Sequence, residues 1–69
     1  MPLSMLEKGV DGTVKNIRGK DETKRFLTSL GFNIGGSVVI VSEISGDLIV
    51  KVKDARVAIS KSLANQIIV

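Results

Sequence analysis

Sixty-nine residues make one domain, of a size that buries only about 60% of the surface its unfolded chain exposes. Cysteine, histidine, tyrosine and tryptophan are all absent, which excludes disulfide staples, thiolate nucleophiles, imidazole bases and most transition-metal ligands. Ten basic and seven acidic residues leave a formal charge of +3 and a pI near 9.6, a mild bias toward acidic partners rather than a basic tail.

With 43% hydrophobic residues, stability must come from packing alone. The opening MPLSMLEKGVDG has neither the basic segment nor the sustained apolar run of a targeting peptide. The longest purely apolar run, Val38–Val41, is far short of the roughly 18 residues a membrane helix needs. A soluble, cytoplasmic protein that is not inserted in a membrane is the expectation, and the lack of cysteine fits a reducing compartment.

Ser4 stands three residues ahead of Glu7, the spacing of a capping box, and predicts one helical turn that pins Leu3 and Leu6 to the core. Thr13–Arg18 reads as a strand. Val14 and Ile17 are three apart, so alternation fails once, which suggests a bulge or an early strand end.

Lys20–Gly36, KDETKRFLTSLGFNIGG, predicts a single short amphipathic helix. Asp21 and Glu22 suit its start, as a cap or against the dipole. Thr23, Phe26, Leu27 and Leu30 share one face at helical spacing, while Lys24, Arg25 and Thr28 lie toward the other. Gly31 fits the left-handed residue that closes a helix, with Phe32 packing back on Leu27 as in a Schellman motif. Gly35-Gly36 then turns the chain into the strand Ser37–Ile44.

Ser45-Gly46-Asp47 connects that strand to Leu48–Lys53, whose Leu48, Val50 and Val52 share a face. A reversal at Asp54-Ala55 leads into Arg56–Ser60, with Val57 and Ile59 inward. Lys61–Asn65 has room for one helical turn, and Gln66–Val69 closes with a strand. Connections this short favour an antiparallel meander. The expected fold is mainly β: a small SH3-like, partly open barrel of five short strands with one helix between the first and second.

Little chemistry remains for catalysis. The serines have no histidine partner, and nothing in the spacing supplies a lysine base, so the chain does not read as an enzyme. Oxygen-only metal sites would need Asp21 with Glu22, or Glu43 with Asp47, and two acids beside a turn are ordinarily solvated. Gly31, Gly35 and Gly36 follow a helix rather than linking a strand to one, so they form no phosphate loop. Single-strand nucleic-acid binding needs aromatic platforms, and Phe26 and Phe32 both read as core. No metal, cofactor or specific nucleic acid is expected.

The segment TKRFLTSLGFNIGGSVVIVSE resembles the FeoA family, ferrous iron transport protein A, whose pattern is R-x-L-x-x-L-G-[LF]-x-x-G entering a strand. Arg25, Leu27, Leu30, Gly31, Phe32 and Gly35 fill those positions. Val57-Ala58-Ile59, Ala64 and Ile67–Val69 match the closing section, and Leu3 with Gly9-x-x-Gly12 match the opening, so the resemblance covers nearly the whole chain. Ile34 departs from the pattern, standing where proline is common before the glycine.

The resemblance implies an SH3-like barrel acting in the bacterial cytosol with FeoB, the membrane Fe(II) transporter that carries a cytosolic GTPase domain. It implies no enzymatic activity. The same fold occurs in metal-dependent repressors, fused to a DNA-binding helix-turn-helix that this chain lacks. The expected mechanism is docking through Lys24, Arg25 and Thr28, with Ile44 or Ile49 on the hairpin as an exposed apolar anchor. Leu27, Leu30, Gly31, Phe32 and Gly35 are expected to be structural. The alternative is an SH3-like regulatory or nucleic-acid-binding module.

Overall fold

The failed alternation at Val14 and Ile17 marks the point where the chain passes from one sheet to another. The computed structural model describes all 69 residues. It places six strands in two antiparallel sheets, where the sequence reading has five in one partly open barrel. Strands β1 (Gly12–Thr13) and β2 (Asn16–Ile17) divide the predicted first strand. β1 pairs with β3 (Ser37–Ile44), and β2 pairs with β6 (Ile67–Ile68). Both Val14 and Ile17 point inward, and two inward residues three apart cannot lie on one flat strand. The helix α1 (Asp21–Ser29) accordingly falls between the second and third strands.

The larger sheet has the order β1-β3-β4-β5, with β4 at Asp47–Val52 and β5 at Ala55–Ser60. The meander β3-β4-β5 is as the sequence predicts, and Leu48, Val50 and Val52 are all buried. Its first turn is tighter than expected. Only Ser45 and Gly46 lie between the strands, both at positive φ (49° and 85°), the type I′ pattern that matches strand twist. The second turn is Lys53-Asp54, with Lys53 at φ 55°. A register shift between Ile40 and Ser42 leaves Val41 as a bulge residue.

Thirteen buried side chains form one cluster, and every one is apolar. α1 delivers Leu27 to it at 0% exposure, and its C-terminus closes as a Schellman motif. Phe32 N–H donates to Leu27 O at 3.1 Å and Gly31 N–H to Thr28 O at 3.0 Å, with Gly31 at φ 110°. That reversal buries Phe32 beside the helix it terminates. Leu30 is only half-buried against the core, and Phe26 is 49% exposed, so Phe26 is not the core residue its spacing suggested. Phe26 lies about 100° from Leu27 around the helix, at the margin of the apolar stripe.

Two caps differ from expectation. Leu3–Met5 forms a 3₁₀ turn without a capping box, because the Ser4 hydroxyl donates to Asn65 Oδ1 rather than to its own turn. Lys20, not Asp21, precedes the first residue of α1 and makes no side-chain cap; Asp21 and Glu22 occupy the first turn. The short helix α2 (Lys61–Ala64) does have a cap, Ser60 Oγ accepting from Leu63 N–H at 3.2 Å.

Leu27→Ala should destabilise the protein by about 2–5 kcal/mol, and Leu30→Ala by clearly less, because only Leu27 is enclosed on all sides. Denaturant titration of both variants checks the ranking. Equal costs would contradict this orientation of the helix.

Candidate functional site

The turn that follows the Schellman motif sets the geometry of the most distinctive surface. Gly36 N–H donates to Asn33 O at 2.9 Å, and Gly35 sits at φ 90° in the third position, as a type II turn requires. Ile34 is therefore the corner residue, the place where proline is favoured, and its side chain is 69% exposed. Its N–H makes no backbone hydrogen bond. Valine 14 holds the turn in place: Gly35 N–H donates to Val14 O at 2.8 Å, and Val14 N–H to Gly36 O at 2.9 Å.

Between this turn and α1 lies an open groove of about 310 Å³. Lys24 and Thr28, one helical turn apart, form one wall, while Asn33 and Ile34 form the other. Asn16 and Ile17 of β2 close one side, and Phe32 lies at the base. The result is a mixed cleft lined by a cation, a hydroxyl, two amides and the exposed side chain of Ile34. Lys24 and Thr28, both singled out from the sequence, are brought together here.

The other sequence candidates lie elsewhere. Arg25 is exposed but does not line the groove, since it is rotated about 100° from Lys24 around the helix. Ile44 is 60% exposed beside the β3–β4 turn, paired with Asp47. The C-terminal end of α1 lies at the other end of β4: a Cβ on Gly31 would stand 3.5 Å from Val52 Cγ2. Ile44 and that helix end are thus separated by about the length of β4, roughly 17 Å. Ile49 faces outward from the sheet opposite Ser42 and Ala58 and is half-buried, not exposed as expected. One contiguous surface joining Lys24 to the hairpin apolar residues is not formed.

Asn16, Asn33 and Ile34 were missed as site residues. For Ile34 a signal existed: an isoleucine in the corner position of a turn, where proline is ordinary, has nowhere to point but solvent. Asn16 joins the site only through the β2–β6 pairing, which no local pattern announces.

The acid pairs Asp21 with Glu22 and Glu43 with Asp47 are not joined by a third ligand. No group of three or more His, Cys, Asp or Glu side chains is gathered anywhere. Glu43 instead meets Lys61 Nζ at 2.6 Å, joining the end of β3 to the start of α2. The hydrogen bond from Lys61, then its charge, holds the Glu43 carboxyl below its ordinary range, with a smaller pull from Lys8. No polar or charged side chain is buried, so the interior offers no desolvated acid or base.

The fold is that of a small, mainly β domain with an open, polar-rimmed cleft. Comparison with known proteins agrees on the fold. The family model described as the FeoA domain matches residues 1–69. "Putative Fe(2+) transport protein A" of Methanocaldococcus jannaschii is 31% identical over 68 residues, covering 99% of this chain and 83% of that protein. A crystal structure of the iron uptake regulatory protein FeoA superposes with a TM-score of 0.89 at 32% identity, covering 97% of this chain and 91% of that one. The zinc complex of Stenotrophomonas maltophilia FeoA, described as a prokaryotic SH3 domain protein, gives 0.85 at 28% identity, covering 99% and 87%. The chain belongs to the FeoA family.

The Glu43–Lys61 pair predicts a pH signature. A carboxylate whose folded pKa is depressed contributes stability above its unfolded pKa and loses it as pH falls through the folded value. Glu43→Gln should therefore lower Tm slightly at neutral pH, and the gap between the two proteins should close in acid. A gap that stays constant across the titration would contradict an ionic contribution from this pair.

Proposed function

We propose that this chain is a cytoplasmic accessory protein of ferrous iron transport that acts by binding, not by turnover. Its partner in this reading is the FeoB-type membrane transporter, engaged through that protein's cytosolic GTPase domain. Family membership supports the link to iron transport, as do the names carried by the relatives. Composition supports action by contact: the chain has no histidine or cysteine, and its core holds no ionisable group. No helix is long and apolar enough to cross a membrane.

One observation supports placing the contact at the cleft. Ile34 is held out in solvent by its corner position, beside the ammonium of Lys24 and the hydroxyl of Thr28, along one cleft. An exposed aliphatic anchor flanked by a cation and hydrogen-bonding groups suits a partner segment that pairs an apolar side chain with a carboxylate. Lys24 steers the encounter, and Ile34 holds the complex as the exposed apolar anchor. This reading narrows the docking surface to the Lys24–Thr28 side of α1, leaving Arg25 outside it.

Calorimetric titration of the transporter's cytosolic domain with charge-reversed variants tests the assignment. Lys24→Glu should weaken binding by about tenfold or more, whereas Arg25→Glu should change it by less than about threefold. Equal losses at the two positions, or none at either, would remove the cleft as the contact.

A further inference from the structure

The outer face of the four-stranded sheet has a feature that the cleft does not explain. Lys51 of β4 stands directly opposite Arg56 of β5 in the antiparallel register. Like charges in that relation repel and destabilise the sheet. Lys53, in the adjoining turn, adds a third cation, and with Lys51 it lines an open cavity of about 260 Å³ floored by Val39. The exposed Ser37 shares the cavity, and Asp11 is the one acid in its lining. None of these three cations takes part in an ion pair, the one ion pair of the protein being Lys61 with Glu43.

We propose that this face is a docking surface for the anionic phospholipid headgroups of a membrane. No ion pair within the chain offsets the repulsion between Lys51 and Arg56, and an external layer of negative charge relieves it. The composition of the face selects the kind of layer. Protein interfaces are depleted in lysine and enriched in aromatic anchors, and this face gathers its cations at the end next to the β4–β5 turn and has no aromatic side chain. Nucleic-acid platforms require aromatic stacking, and the chain's two phenylalanines lie in α1 and in the core. A fluid layer of phosphodiesters can adjust to three flexible cations without a shaped partner surface. Each such cation near an anionic leaflet is worth about fivefold in partitioning, so three give weak, reversible binding. The inference is independent of the cleft assignment.

Co-sedimentation of the full chain with vesicles of equal parts phosphatidylglycerol and phosphatidylcholine tests it, with pure phosphatidylcholine vesicles as the neutral arm. Binding should occur only to the anionic vesicles and should fall as salt is raised. The double variant Lys51→Gln, Arg56→Gln should bind about twenty-five-fold more weakly. Its Tm should be equal or higher, because the cross-strand repulsion is gone, and that separates lost binding from lost folding. The matched variant Arg18→Gln, Lys20→Gln, with the same change in net charge, should keep most of the binding. Any of four results would overturn the proposal: no binding to anionic vesicles, undiminished binding by the Lys51/Arg56 variant, equal losses in both variants, or tighter capture by duplex DNA or polyglutamate than by the vesicles.

Discussion

Residues 12–18 are one extended segment whose backbone is shared between two sheets, and the rest of the structure depends on that sharing. Gly12 and Thr13 pair with Val38 and Ser37, and Val14 exchanges hydrogen bonds with the Gly35-Gly36 turn. Lys15 N–H then donates to Ile68 O, Asn16 and Ile17 pair with β6, and Arg18 N–H donates to Gln66 O. A chain this short cannot build two independent cores. Passing one strand from sheet to sheet lets Val14 and Ile17 face a single interior, which the four-stranded sheet covers from one side and β2–β6 from the other.

That seam also connects folding to the site. The Gly35-Gly36 turn is tied to Val14, and the helix before it ends in a Schellman reversal that buries Phe32. Between these two fixed points Ile34 has no route inward, so the same constraints that close the core push one aliphatic side chain into water. The cleft therefore lies where β2, α1 and the turn meet, on rigid backbone rather than on a loose loop. Leu27 faces the core and Lys24 with Thr28 faces the cleft, so one nine-residue helix carries both packing and surface chemistry.

Much of this was legible in the sequence because the relevant signals are local. The Leu27-to-Phe32 reversal was announced by Gly31, the β3-β4-β5 meander by alternating aliphatics and short turns, and the kink at Val14–Ile17 by a single failure of alternation. What escaped was set by long-range register. The count of strands changed because β2 finds its partner at Ile67–Ile68, about fifty residues later. Ser4 abandons its capping box for Asn65, a partner with no sequence signature. Phe26 looked like core by spacing, yet a short helix laid on a small core hides only a narrow stripe. At the site, Lys24 and Thr28 could be named from helical spacing, while Asn16 could not be named without the register. Arg25 was named from the same helical spacing and Ile44 and Ile49 as apolar residues of the hairpin, and the structure sets all three outside the cleft.

In the proposed function, partner recognition occurs at the cleft between α1 and the 33–36 turn. The most direct measurement is a heteronuclear NMR titration of the isotope-labelled protein with the transporter's cytosolic domain, following every backbone amide. Perturbed amides should cluster at Asn16, Lys24, Thr28, Asn33 and Ile34, with Ile44 and the β3–β4 turn unmoved. Perturbations confined to the hairpin around Ile44, or the absence of any cluster at saturating partner, would contradict it.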